Sequence, residues 1–482
     1  MPSYLRPDAP SAAEPEELVP LVPLLPIDTP SARPAPPPLA HLPQQAVVAG
    51  YMRTSHVVPA ACPRFLPAES ALRTTMCEDV PADMDAALAA LAAARRAFDV
   101  QKRRAPQHLL SYEQQWNCVD RYVHPRALSS GTSRGITLLL VHSGGFSRQI
   151  WEPMLKPLLA RLSESATDIV DEIWSFEAVQ HGDSAVINDH AQRDIVDWHD
   201  LTRDILNFLS TYLPPDPGAA LDTVLHPVAP HEFGKTRRRR LIGVGHSFGG
   251  TILARAALAQ PDLFDSLVLV EPIVFSAAFQ DRGPGPGAGM LRFLFTSTLA
   301  KQPAFPSPAA ARAYFRAYPT SARWDPRILD VVMRHGLVQE FPSSARGEDV
   351  DGEEGGGVRL KTRPFDETTV TYGWRAAHEV WAALPTLEPR LSLHWVMSGK
   401  SAAWTGGRAM TRRTVWRRPA NASNVLIPDA GHSILQEKPD ELAGEVFAFL
   451  FSRYGHLDAI RVHSGIAKLQ GLLPWVYTMH KL

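Results

Sequence analysis

Ser247 stands in Gly245-His246-Ser247-Phe248-Gly249, a spacing that can turn a hydroxyl into a nucleophile. Glycines two before and two after it allow a sharp strand-to-helix turn and close approach of neighbouring elements, leaving the hydroxyl at the tip. The context fits: Leu241 to Val244 is apolar and strand-like, and Thr251-Ile-Leu-Ala-Arg-Ala-Ala is helical. A helix starting at the serine also points its positive dipole end at developing negative charge. A serine hydroxyl needs a base. His432, in Asp429-Ala-Gly-His432-Ser, follows a late strand, precedes the last helix, and is approached by two small residues. Asp429 is too near it in sequence to orient the ring easily and reads as a loop residue. Glu271 closes the apolar run Leu267-Val-Leu-Val270. A carboxylate at the end of a buried strand is costly unless paired, and a histidine partner would supply the pairing. In Val141-His142-Ser143-Gly144-Gly145-Phe146 a glycine-bearing loop follows another apolar strand. Backbone amides at Gly144 and Gly145, with that of Phe248, are the candidate oxyanion donors. His142 reads as a support for that loop, not as a base. The chemistry expected is acyl transfer: Ser247 attacks a carbonyl, His432 takes its proton, and Glu271 holds the imidazole.

The elements that must position these residues can be read along the chain. Residues 1–80 are rich in proline and alanine, as in Pro34-Ala-Pro-Pro-Pro38, and are expected to be largely irregular. Met84, Leu88, Leu91 and Phe98 recur at helical spacing in a stretch ending at Gln101-Lys-Arg-Arg104. Strand signals follow at Trp116–Val123, Ile136–Val141, Asp171–Phe176, Leu241–Gly245 and Leu267–Val270, with helices at Trp198–Leu213 and Thr251–Gln260. Strands alternating with helices predict a doubly wound, mostly parallel sheet of the α/β class. Residues 81–274 would be the first part of this core. The pattern then breaks over 275–385, read as an inserted, mainly helical cap with a low-complexity loop at Ser343–Gly357. Strands at Leu393–Met397 and Asn424–Ile427 and a helix at Asp440–Phe451 resume the core, so that 386–482 holds its second part and a tail.

Composition narrows the class. The 482 residues are 45% apolar and 21% charged with net charge -1, which argues against bulk electrostatic binding to nucleic acid or an anionic membrane. Lys235-Thr-Arg-Arg-Arg-Arg240 directly precedes a core strand and reads as the end of a solvated loop. Cys62, Cys77 and Cys118 are odd in number and lack metal-ligand spacing, so neither a disulfide framework nor a zinc site is expected. The start, Met-Pro-Ser-Tyr-Leu-Arg-Pro-Asp, lacks the apolar core of a secretory signal. No apolar run approaches the length needed to span a bilayer. The chemistry needs neither metal nor organic cofactor, and the partner expected is a small-molecule or lipid-like ester.

Together these residues resemble the α/β-hydrolase superfamily. Leu138-Leu-Leu-Val-His-Ser-Gly-Gly-Phe146, Ile150-Trp-Glu-Pro-Met154, Trp174-Ser-Phe-Glu-Ala178, His181-Gly-Asp-Ser184 and Val270-Glu-Pro272 are similar to a fungal branch. That branch includes peroxisomal lipase-like proteins and hydrolases of toxin biosynthesis. The resemblance covers roughly 110–275 and 390–450. It implies an α/β-hydrolase fold and a serine esterase, lipase or thioesterase. Many such enzymes carry the acid after the strand expected at Leu393–Met397, but Ser398-Gly-Lys-Ser-Ala-Ala-Trp404 has no carboxylate, which leaves Glu271 on the preceding strand. Haloalkane dehalogenases share that placement but use an aspartate nucleophile, so dehalogenation is not expected. Ser143-Gly144-Gly145 stands where the branch tends to carry Ala or Gly before Asn-Gly, so no asparagine amide is available at the oxyanion loop. An acyltransferase or carbon–carbon bond hydrolase, and a slow-turnover ligand-binding protein, use the same residues. The last three residues, His480-Lys481-Leu482, are a variant of the Ser-Lys-Leu peroxisomal address and would be read by an import receptor. The expected location is therefore peroxisomal or cytoplasmic, not secreted.

Overall fold

The computed structural model describes residues 1–7, 19–28, 45–65, 72–104, 110–130, 135–165, 169–229, 239–277, 286–339, 357–371, 373–400 and 407–457. Nine strands form the central sheet: β1 (Ala46–Val48), β2 (Tyr51–Pro59), β3 (Trp116–Val123), β4 (Ile136–Val141), β5 (Val170–Phe176), β6 (Arg240–His246), β7 (Ser266–Val270), β8 (Ser392–Ser398) and β9 (Ala422–Ile427). Their spatial order is β1-β2-β3-β5-β4-β6-β7-β8-β9. The first three pair antiparallel, β3 also meets β5 antiparallel, and all pairs from β5 to β9 are parallel.

Strand β4 shows why a run that is apolar at all but Thr137 forms here. Leu139 and Val141 enter the core on one face of the sheet, while Ile136, Leu138 and Leu140 enter the core on the other. Each fully buried aliphatic side chain contributes roughly 1.5–3 kcal/mol, and only a strand covered on both faces collects this at every position. Helices α2 (Glu152–Glu164) and α10 (Pro439–Tyr454) cover one face. Helices α3 (Trp198–Asn207), α4 (Phe248–Ala259) and α9 (Arg375–Ala383) cover the other. The expected Trp198–Leu213 helix is α-helical only to Asn207 and then widens into a π turn at Phe208–Tyr212. Helix α1 (Met84–Arg104) buries Leu88, Leu91 and Phe98, the apolar stripe read from its sequence.

Two regions differ from the sequence reading. Residues 46–59 are not irregular: they form β1 and β2, and β2 aligns eight residues with β3 at one edge of the sheet. The flanking prolines masked the signal of Tyr51-Met-Arg-Thr-Ser-His-Val-Val, whose later residues are wholly buried. The inserted segment carries α5 (Pro286–Leu299), α6 (Pro308–Ala317), α7 (Pro326–His335) and α8 (Pro364–Thr371), but also a small antiparallel sheet of Ala304–Phe305, Leu337–Gln339 and Val358–Leu360. Helix α9, read as part of the cap, packs Ala376, Ala377, Val380 and Trp381 into the main core.

The Pro34–Pro38 run, most of Ser343–Gly357 and the tail with His480, Lys481 and Leu482 lie outside the described residues. In the basic run, Arg239 is buried in an ion pair with Glu172, which also meets Arg121 at 2.6 Å. The three cysteines are free and buried. Among the described residues no helix is long and apolar enough to cross a membrane.

Candidate active site

The turn at Ser247 joins β6 to α4, and its backbone is strained as a tight elbow requires, with φ 57° and ψ −124°. The flanking glycines have measurable reasons. A Cβ at Gly245 would sit 2.6 Å from the Gly249 carbonyl oxygen, and one at Gly249 would sit 2.5 Å from the carbonyl oxygens of Val141 and His142. No side chain fits at either position, so the elbow and the β4 loop pack backbone against backbone.

Strand order brings the other candidates to the serine. Strands β6, β7, β8 and β9 are consecutive and parallel, so their C-terminal ends open onto one crevice. Ser247 Oγ lies 3.0 Å from His432 Nε2, and His432 Nδ1 lies 3.1 Å from Glu271 Oε2. The second carboxylate oxygen, Oε1, accepts the Ser398 backbone N–H at 2.6 Å. Glu271 is 2% exposed and also has a positive φ of 42°. Strain at both Ser247 and Glu271 is held in place by a rigid surround, as is common where side-chain aim matters. Asp429, by contrast, is exposed and pairs with Lys400 at 3.3 Å.

Several contacts hold the His432 loop. His246 Nε2 donates to the His432 carbonyl at 2.9 Å, the Ser398 hydroxyl donates to the Ala430 carbonyl at 2.7 Å, and the Gly431 N–H donates to Glu437 at 2.9 Å. Burial, reinforced by the neighbouring His432, pushes His246 down to about 3, so it is a neutral brace. His142 is similar: Nδ1 donates to the Ser143 carbonyl, Nε2 accepts the Ala178 N–H, and burial lowers its pKa to about 4.

A cavity of about 440 Å³ lies over these groups. Ser247, His432, Gly144 and Phe248 line it, with apolar walls from Phe146, Ile273, Phe275, Val370 and Trp374. That size and lining suit a small organic ligand. Gly145, the third oxyanion candidate, is not in the lining. It has φ +84°, and a Cβ there would lie 2.5 Å from the Glu367 carboxylate. The missing side chain lets the cap come down on the loop. Glu367 in turn pairs with Lys301. Sequence reasoning missed His246, Ser398 and this pair. Position beside Ser247 could have flagged His246; the cap pair, 66 residues apart, has no local signal.

The chain matches the alpha/beta hydrolase family over residues 138–445. A type I acyl-CoA thioesterase, mpaH of Penicillium roqueforti, is 26% identical over 204 residues, 42% of this chain and 39% of that protein. The peroxisomal membrane protein LPX1 of Saccharomyces cerevisiae is 30% identical over 152 residues, 31% of this chain and 34% of its own. The alignments thus span between a third and two fifths of these relatives. The abhydrolase domain-containing protein AFT2-1 of Alternaria alternata is 29% identical over 42% of this chain and 80% of its own. Among solved structures, the peroxisomal alpha-beta-hydrolase Lpx1 of Saccharomyces cerevisiae shares the fold over 87% of this chain and 98% of its own, with TM-score 0.57 and 17% identity.

Proposed function

The chain belongs to the alpha/beta hydrolase family, and from that premise we propose that it is a serine hydrolase cleaving carboxylic esters or thioesters. The observation that carries this reading is the continuous relay from Ser247 Oγ through His432 to Glu271, at 3.0 and 3.1 Å. Ser247 attacks the carbonyl carbon while His432 Nε2 takes its proton, and Glu271 stabilises the imidazolium that results. The tetrahedral oxygen is met by backbone amides at Phe248 and in the Gly144–Gly145 turn, aided by the N-terminal dipole of α4. Collapse breaks the bond to the leaving alcohol or thiol, which receives the proton from His432. Water then repeats the cycle on the acyl-enzyme, giving the acid and restoring Ser247. The thioesterase relative supports a thioester as substrate.

Ser247→Ala should lower kcat/KM on short p-nitrophenyl esters and acyl thioesters by at least about 10³-fold with an unchanged melting temperature. Substantial turnover by that variant would overturn the assignment. A peroxisomal location is part of the proposal, supported by the peroxisomal yeast relative and by His480-Lys481-Leu482. A fluorescent fusion that reaches peroxisomes equally well with and without those three residues would remove the tail's part in it.

A further inference from the structure

Two ion pairs line the cavity: Arg323–Glu437, whose guanidinium is half-exposed, and the more enclosed Lys301–Glu367. Lys301 follows α5 and Glu367 lies on α8; both line the cavity, with side chains only 15% and 13% exposed. Lys301 Nζ lies 2.6 and 2.7 Å from the two Glu367 oxygens. A buried pair of this kind adds little stability over an apolar replacement of the same volume, so stability alone does not explain it. Among the described residues the ammonium hydrogen-bonds Glu367 alone. An ammonium has three donors, so at least one N–H remains for whatever fills the cavity.

The pair is also close to the reacting centre. The Glu367 carboxylate lies against Gly145, where a Cβ would come within 2.5 Å of it, and the adjacent Gly144 shares the cavity lining with Ser247. A plain alkyl chain packed there would leave a charged donor dry, a cost that falls on binding. An added carboxylate would face Glu367 as well as Lys301. A neutral acceptor oxygen meets the free N–H without that repulsion. We propose that Lys301, held by Glu367, selects acyl groups that carry a keto, hydroxyl or ether oxygen within a few atoms of the scissile carbonyl.

This inference rests on the ester or thioester reading above, and its test separates the two. The probes are p-nitrophenyl 4-oxopentanoate against pentanoate, and 5-oxohexanoate against hexanoate, each corrected for its hydroxide-catalysed rate. The readout is the ratio of kcat/KM within a pair. It should favour the oxo ester at least about tenfold at one of the two positions, the scale of one hydrogen bond to a charged donor. In Lys301→Met/Glu367→Leu, which removes the pair without stranding a charge, the ratio should fall to about one; Lys301→Arg should retain it. If the double variant does not fold, Lys301→Met alone is read in the same way. A wild-type ratio near one at both positions overturns the inference. So does a double variant, or Lys301→Met, that keeps the wild-type ratio, whether its rates are unchanged or fall equally as with a mere cap latch. Absence of turnover on all four esters and on the matching acyl thioesters refutes the hydrolase reading instead.

Discussion

Replacing Glu271 by Gln tests the relay with little change of shape. In the native site both carboxylate oxygens accept: Oε1 from the Ser398 N–H at 2.6 Å and Oε2 from His432 Nδ1 at 3.1 Å. A glutamine offers one acceptor and one donor. The Ser398 N–H belongs to the end of β8 and cannot turn away, so the amide oxygen must face it. The NH2 group then faces His432 Nδ1 and donates to it. That moves the imidazole proton to Nε2, the atom that should receive the Ser247 proton. The wrong tautomer in an otherwise intact site costs about 10⁴ in kcat, or roughly 5.5 kcal/mol of barrier at 1.36 kcal/mol per decade. The measurement is steady-state hydrolysis of p-nitrophenyl butyrate beside a thermal melt, with Ser247→Ala as the floor. A glutamine variant that folds and retains activity within tenfold of wild type would refute the role of Glu271.

Gly249→Ala should cost about 1–3 kcal/mol by overpacking, because its methyl group would lie 2.5 Å from two backbone oxygens that cannot rotate aside. It should also depress turnover by shifting the oxyanion loop; an unchanged melting temperature would contradict this packing. Acid should destabilise the fold. Burial holds His142 and His394 down to about 4 and His246 to about 3, below the ordinary 6.5. Their folded-state pKa values are depressed, so the unfolded chain binds more protons as pH falls from 6.5 toward 4, and stability falls with it. Urea midpoints measured from pH 7.5 to 4.5 should drop across that window. His394→Phe, remote from Ser247, should flatten part of the slope; a flat wild-type profile would contradict the assignment.

Much of the fold was legible because its signals are local. The β4 run Ile136–Val141 is apolar at every position but Thr137 because both faces of the strand are buried, and its bounds follow directly from sequence. The helix Met84–Arg104 was visible in the spacing of Leu88, Leu91 and Phe98. Strands of two or three residues in the cap were not legible, since they are too short to show a period. Residues 46–59 were hidden by their proline-rich surroundings; 52–59 became strand by pairing with β3, a partner more than fifty residues away, and 46–48 by pairing with β2.

The candidate site divides along the same line. Sequence by itself determined that Ser247 sits between two glycines after an apolar strand, and that Glu271 ends the next such strand, because turn geometry and strand burial are properties of short segments. Tertiary structure alone decided that they meet His432. Three strand ends and a loop separated by up to 185 residues converge only because β6 to β9 are neighbours in one parallel sheet. The same holds for the Ser398 N–H behind Glu271, His246 beneath the His432 carbonyl, and Lys301 with Glu367 over Gly145. Each is a contact between distant segments with no periodicity to announce it, and these contacts determine how Ser247 is aimed and the shape of the cavity it faces.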